Sequence, residues 1–307
     1  MEIDIIIPLY KPGRELFTLL DLLEGQSVPI HDIILMNTEE KYFEQLTYGT
    51  DFNRRYKNVR VFHLSKREFD HGRTRRSAVA KSSADIFVMM TQDAVPTDAC
   101  LVERLISCLT GDVAVAYARQ IPGERSSVLE RFSRQFNYPD KSCVKSGKDL
   151  DRLGIKTYFC SNVCAAYRRD IYDRLGGFVK RAIFNEDMIY AATAVGAGYS
   201  IAYEARAEVV HSHDYSCGQQ FHRNFDLGVS QARHPEIFDG VRSESEGLRM
   251  VKAAVSYLRE NRLRRKIPYF YLQCFCKYAG YLLGKHYRIL PRGLVLACTA
   301  SPNFWKQ

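Results

Sequence analysis

An α/β architecture on a mixed, mainly parallel sheet, followed by a helical, basic and aromatic tail, is expected from three features of this 307-residue chain. Short apolar runs alternate with amphipathic stretches over the first ninety residues. Each run ends in a loop rich in polar side chains. The excess positive charge is confined to the last fifth of the sequence. Strand and helix alternating in this way fold as a parallel sheet covered on both faces.

Residues 3–8 form an apolar run closed by Pro8, and residues 13–24 place Leu16, Leu19, Leu20 and Leu23 at helical spacing. Further strands are expected at 32–36, 59–64 and 86–90, with a short helix at 72–83. Residues 101–109 read as a helix and 113–119 as a strand. The section 121–157 is polar and basic without a period, and reads as a mobile loop region carrying short helices. Order returns at 159–168, and a small helix starts at Asp170. A helix at 185–198 is ended by Gly196-Ala197-Gly198. Short strands follow at 200–203 and 208–213. A last helix of the body runs from Tyr215 towards Ala232, where His234-Pro235 breaks it. The chain is therefore divided into a body, 1–240, and a helical extension, 241–307. In open sheets ligands bind at the carboxyl ends of the strands.

Composition narrows the function classes. With 46% apolar and 26% charged residues the chain is neither disordered nor collagen-like. Nine cysteines without pairing rhythm, behind no basic leader, fit a reduced cytoplasmic protein. No run approaches the ~20 apolar residues of a spanning helix. The net charge of +9 is local: residues 249–307 hold twelve Lys or Arg and one acid, Glu260, whereas the remainder has 32 basic and 34 acidic residues. A nucleic-acid binder that is basic throughout is not expected to look like this.

Three stretches carry candidate chemistry. Phe69-Asp70-His71-Gly72-Arg73-Thr74-Arg75 opens a helix after a strand. Met89-Met90-Thr91-Gln92-Asp93-Ala94-Val95-Pro96 delivers a carboxylate from an apolar strand into a loop. Phe184-Asn185-Glu186-Asp187-Met188 starts a helix with two acids, and His211-Ser212-His213-Asp214-Tyr215-Ser216 follows. In that order, behind Ile5-Ile6-Ile7-Pro8-Leu9-Tyr10, the chain resembles a family-2 glycosyltransferase of the GT-A (Rossmann-like) fold, and within it the bacterial rhamnosyltransferases of cell-surface polysaccharide synthesis. The likeness covers roughly residues 1–235, with a weaker echo at Lys277-Tyr278-Ala279-Gly280-Tyr281.

The resemblance implies an inverting transfer from a nucleotide-sugar donor, dTDP-L-rhamnose, to a polyprenyl-diphosphate-linked glycan at the inner face of the cell membrane. Negative charge grows on the departing diphosphate, so a cation aimed at its oxygens is needed. Mg²⁺ or Mn²⁺ would supply it. Asp93 stands where the family has the last acid of Asp-X-Asp, Thr91 replaces the first, and His213 or His211 would complete the metal site. Asp187 stands for the general base and Glu186 is its neighbour. Pro8, Tyr10, Asn37, Asp70, His71, Arg75, Gln92, Asp93 and Arg223 would surround the donor. Asn37 replaces the aspartate usual at the end of the second strand, and Arg76 the asparagine usual after Arg75.

In the tail, Arg262-Leu263-Arg264-Arg265-Lys266 precedes Tyr269, Phe270, Tyr271, Phe275, Tyr278, Tyr281 and Tyr287. Rings interleaved with cations suit a membrane surface. They also suit packing on the body or dimerisation, and nucleic acid is the least expected partner. Two rival functions stand beside the transferase. One is a nucleotidyltransferase, for which Lys11-Pro12-Gly13-Arg14 is a poor phosphate loop. The other is a peripheral membrane or nucleic-acid binding protein that uses the sheet as scaffold.

Overall fold

The computed structural model describes residues 1–240 and 244–306. Among the described residues nine strands, β1 (Ile3–Tyr10), β2 (Asp32–Thr38), β3 (Val59–Leu64), β4 (Ile86–Met90), β5 (Val95–Pro96), β6 (Val113–Ile121), β7 (Cys143–Lys145), β8 (Cys164–Arg168) and β9 (Ser200–Val210), form one sheet. Their order is β3-β2-β1-β4-β8-β6-β9-β5, with β7 also on β9. β1 to β4 are mutually parallel. β8 runs antiparallel to both β4 and β6, while β6 and β9 are parallel. The carboxyl ends of β1, β2, β3 and β4 thus share an edge with the amino end of β8.

Strand alternation sorts the core. Ile5 and Ile7 of β1 face the layer that contains Leu16, Leu19, Leu20 and Leu23 of helix Glu15–Glu24. Ile6 faces the opposite layer, with Ala78 and Val79 of helix His71–Val79 and with Tyr190, Ala191 and Ala194 of helix Glu186–Gly196. Strand β1 continues past Pro8 to Tyr10. Its pairing with β4 ends at Ile6, so the proline sits where only β2 is paired, and a missing N–H is tolerated there.

Two other expectations differ from the structure. The strands expected at 200–203 and 208–213 are one strand, β9, whose ladder with β6 is irregular between Ala118 and Arg119. The break in the apolar pattern reflects that irregularity. The section 121–157 contains β7 and a ten-residue helix, Val128–Asn137, capped by Ser127, whose side chain accepts from the Glu130 backbone. Its apolar face (Val128, Leu129, Phe132, Phe136) packs on Ala254, Val255 and Leu258. That partner is more than a hundred residues away, which is why no local pattern announces it.

The tail adds helices Glu244–Glu260, Ile267–Lys285 and Arg292–Cys298. Helix Ile267–Lys285 lies along helix Cys217–Arg233 at near-backbone contact. A Cβ on Gly280 would stand 2.2 Å from the Phe221 carbonyl oxygen, and one on Gly284 would stand 2.1 Å from that of Phe225. The expected division at 240/241 adjoins residues 241–243, which lie outside the described residues. No helix among the described residues is long and apolar enough to cross a membrane.

The glycine contacts generate a stability prediction. Gly280→Ala forces the two helices apart and should cost about 1–3 kcal/mol. Gly247→Ala, on an open stretch of helix Glu244–Glu260, should gain about 0.5–1 kcal/mol. Urea midpoints of the two variants should move in opposite directions.

Candidate active site

Just beyond β4 the chain turns through Thr91 to Ala94, with the Ala94 N–H donating to the Thr91 carbonyl at 3.1 Å. The turn lifts Asp93 to the edge, where its side chain is 43% exposed. Facing it are His211 and His213, which alternate along the continuation of β9 and point the same way. His213 Nε2 is 3.0 Å from Asp93 Oδ2, His211 Nε2 is 3.5 Å from Oδ1, and the two ring nitrogens are 3.1 Å apart. Burial alone would raise the Asp93 carboxyl. The hydrogen bond from His213 and the nearness of His211 instead hold it well below the usual carboxylate range.

His211 is buried and its tautomer is set from behind. Gln120 donates through its amide nitrogen to Tyr138 Oη (2.5 Å) and Ser161 Oγ (2.9 Å). Its oxygen therefore faces His211 Nδ1 at 3.0 Å and accepts a hydrogen bond from the Nδ1–H. The Nε2 lone pair is left on the Asp93 side. Burial lowers the imidazole to about 4 against the pull of Asp93, so it is neutral. One carboxylate oxygen and two imidazole nitrogens lie within 4.8 Å of one another. Nitrogen donors held by outer-shell hydrogen bonds fit Mn²⁺ better than Mg²⁺, which prefers oxygen. A second group, Asp4, His31 and Asp32, lies at the opposite edge of the sheet and is tied together by a 2.9 Å contact between His31 and Asp4.

Glu186 and Asp187 open helix Glu186–Gly196 after Asn185, which caps it in the left-handed region (φ 63°). The neighbouring acids have different surroundings. Glu186 is buried, 3.1 Å from Arg75 Nε, and accepts from Asn162 Nδ2 at 3.0 Å. The arginine contact is a charge pairing, since the Nε–H is not aligned for a hydrogen bond. Burial opposes ionisation of Glu186, but Arg75 and His71 outweigh it and lower its pKa. Asp187 is half-buried and receives only backbone N–H groups, from Asn162 (2.9 Å) and Met188 (2.8 Å). Burial first, and the Glu186 charge second, push it up to about 7. Adjacent carboxylates with separated affinities for protons are the arrangement acid–base chemistry needs.

The segment 161–163, ahead of β8, joins the two acidic centres. Asn162 holds Asp187 and Glu186, Ser161 accepts from the Gln120 amide that orients His211, and the Val163 carbonyl accepts from Thr91 N–H at 3.1 Å. Arg223 stacks between Phe184 (5.3 Å) and Tyr215 (4.6 Å), and its charge lowers both His71 and His211. Among the described residues no carboxylate forms an ion pair with it.

The remaining sequence candidates divide. Tyr10, Asp70 and His71 line a cavity of about 360 Å³ together with Thr38, Lys66 and Phe69. Asp70 caps helix His71–Val79, its Oδ1 accepting from Arg73 (2.8 Å) and Ala182 (3.1 Å), while Oδ2 has no partner. Asn37 is fully buried, its amide nitrogen 3.0 Å from His63 and 3.2 Å from the Glu39 carbonyl. Thr38, on the alternate face, lines the cavity instead. Gln92 is engaged with the Tyr10 backbone at 2.8 and 3.1 Å. Arg75 lies behind His71, 3.1 Å from its Nδ1. Pro8 is half-buried within β1. Sequence reasoning passed over Gln120, Ser161 and Asn162. The one signal was a polar residue inside or beside an apolar strand.

The profile of Glycosyl transferase family 2 matches residues 4–176. The chain belongs to glycosyltransferase family 2. This family-2 enzyme is 37% identical over 310 residues to the O-antigen chain rhamnosyltransferase RfbN of Salmonella typhimurium, across 99% of this chain and 96% of that protein. It is 40% identical over 247 residues to the O-antigen chain rhamnosyltransferase WbaN of Salmonella anatum, across 79% and 78%. Its fold matches the mannosyltransferase PcManGT of Pyrobaculum calidifontis, solved with GDP-Man and Mn²⁺ (TM-score 0.54, 14% identity, 96% of this chain and 78% of that one). It also matches residues 1–349 of S. aureus TarS with UDP-GlcNAc (TM-score 0.53, 13% identity, 94% and 92%). The glycosyltransferase thus has the GT-A fold. Asp187, His211 and His213 lie beyond the matched residues of the family profile.

For this family-2 enzyme, the like-charge contact beside Asp187 predicts a pH effect. Glu186→Gln removes the repulsion that adds to burial in raising Asp187, so an acid limb of kcat/KM set by Asp187 should move to lower pH than in the unaltered enzyme. A pH–rate profile of the variant, read at low donor, checks this.

Proposed function

We propose that the enzyme transfers L-rhamnose from dTDP-L-rhamnose to a hydroxyl of a polyprenyl-diphosphate-linked glycan, with inversion at the anomeric carbon, in the assembly of a surface polysaccharide. The curated relatives support the sugar, since both are named O-antigen chain rhamnosyltransferases. The observation that carries the chemistry is the link through 161–163 between Asp187, whose carboxyl burial and Glu186 push up, and the Asp93–His211–His213 group.

In this reading Asp187 Oδ takes the proton of the acceptor hydroxyl as its oxygen bonds to the anomeric carbon. The bond from that carbon to the diphosphate oxygen breaks on the opposite face, and the electron pair leaves with dTDP. Arg223, held by two rings, donates to the diphosphate. Glu186, kept ionised by Arg75, orients Asn162 and adds to the burial that keeps Asp187 basic. Mn²⁺ bound by Asp93, His213 and His211 would supply positive charge to the leaving group.

One experiment tests the assignment. Asp187→Asn should lose transfer by a factor on the order of 10³ or more yet keep the thermal stabilisation by dTDP with Mn²⁺. EDTA should remove the metal-dependent part of that shift and the turnover of the unaltered enzyme. Retained transfer in the variant would remove the base assignment, and turnover indifferent to EDTA would remove the metal.

The same reading places the enzyme on the cytoplasmic membrane surface. Tyr271, Phe275, Tyr278 and Leu282 recur at helical spacing on helix Ile267–Lys285, all exposed and Phe275 68% so. They lie away from the buried Gly280 and Gly284. Exposed Arg264, Arg265 and Lys266 precede them, and residues 261–307 contain no acid. Rings and cations together favour an anionic lipid surface. Phe275→Asp should weaken sedimentation with phosphatidylglycerol vesicles severalfold and leave turnover on a water-soluble acceptor unchanged. Equal sedimentation would exclude this face.

A further inference from the structure

The cavity bounded by Tyr10, Thr38 and Asp70 has a second wall that comes from the other end of the chain. Residues 300–304 close it opposite the strand ends, with Ala182 and Ile183 between. That wall is held by named bonds. Asp226, buried on helix Cys217–Arg233, accepts from Thr299 Oγ1 (2.5 Å) and from the Ala300 backbone (3.1 Å). Ser301 N–H donates to Thr299 Oγ1 at 3.0 Å. The Phe304 carbonyl accepts from Arg181 at 2.5 Å, its ring lies under that guanidinium at 4.5 Å, and its side chain packs with Ile183, Phe225 and Val295. Asn303 reaches the Lys66 carbonyl across the gap at 3.4 Å.

We infer that segment 300–304 is the second wall of the donor's nucleoside subsite, where Ser301 and Asn303 discriminate the base and Asp226 is a positioning residue. This rests on the proposed nucleotide-sugar reading and deepens it. The cavity, at about 360 Å³, is near the small end of the range for ligand sites, roughly 300–1,000 Å³. It suits a nucleoside better than a whole nucleotide sugar. The Tyr10 ring is 39% exposed and carries the Lys11 and Lys66 ammonium groups over it, each at 5.5 Å. Thr38 Oγ1 and Asp70 Oδ2 on the strand side have no hydrogen-bond partner. A pyrimidine-dione base presents one imide N–H between two carbonyls. Asn303, which both donates and accepts, and the Ser301 hydroxyl match that edge from the tail side, and the Asp70 carboxylate accepts only. The wall lies outside the residues matched by the family profile.

The test uses the full-length enzyme with dTDP, GDP and pyrophosphate as probes, each with Mn²⁺. Asn303→Ala and Ser301→Ala, both on partly exposed residues, should each raise the Kd for dTDP and the donor KM about tenfold, the loss of one good hydrogen bond. The preference for dTDP over GDP should shrink. The kcat at saturating donor, the KM for acceptor, the melting temperature without ligand and the Kd for pyrophosphate should not change. Asp226→Asn should raise donor KM while leaving kcat intact. An unchanged Kd for dTDP in both alanine variants, or an equal loss for pyrophosphate, would overturn the inference while the transferase reading stands. If the unaltered enzyme bound no nucleoside diphosphate, the nucleotide-sugar reading would fail first, and this one with it.

Discussion

The buried pairing of Arg75 with Glu186, 3.1 Å apart and shielded from water, is the constraint on which the proposed chemistry depends. Two adjacent carboxylates at a helix start would ordinarily both be stabilised as anions by the helix dipole and its free N–H groups. Here one is matched with a cation and the other is not. The unmatched one feels both the low polarity around it and the fixed charge of its neighbour, so its affinity for a proton rises towards neutrality. The charge pair does not touch the reacting atoms. It keeps Glu186 ionised in a place where an isolated acid would protonate, and that persistent charge adds to burial in raising Asp187.

Topology explains how remote parts of the sequence come together. In a purely parallel sheet the segment leading into a strand lies at the far edge from the ligand. β8 is reversed, so its entry, residues 161–163, arrives beside the exit of β4. The backbone there bonds to Thr91, two residues before Asp93, while the adjacent side chain holds both acids of the next helix. The irregular ladder between β6 and β9 has a comparable consequence, since the continuation of β9 brings His211 and His213 over the same edge.

Much of this was legible in the amino-acid order. The first four strands follow from short apolar runs alternating with amphipathic stretches, and the resemblance singled out Asp93, Asp187 and both histidines. What was hidden depended on contacts far apart in sequence. Helix Val128–Asn137 has an N-terminal Ser127-x-x-Glu130 signal, but its apolar face means little until the tail covers it. Asn37 sat where the family carries an acid, yet strand alternation turns it inward to His63 and leaves Thr38 at the cavity. Gln120, Ser161 and Asn162 are ordinary polar residues until the sheet is assembled, and only then do they bind the histidine and the two acids. The tail, read as a basic appendage, supplies both a helix in glycine contact with the body and a wall of the cavity.

The ladder that joins β4 to β8 also works as a ruler. Hydrogen-bonded neighbours in a sheet stand roughly 4.8 Å apart, and that interval neither stretches nor shears without breaking several bonds at once. The turn bearing Asp93 and the segment gripping Asp187 are inherited from adjoining rungs. Their spacing is therefore set by the ladder itself, before any sugar arrives.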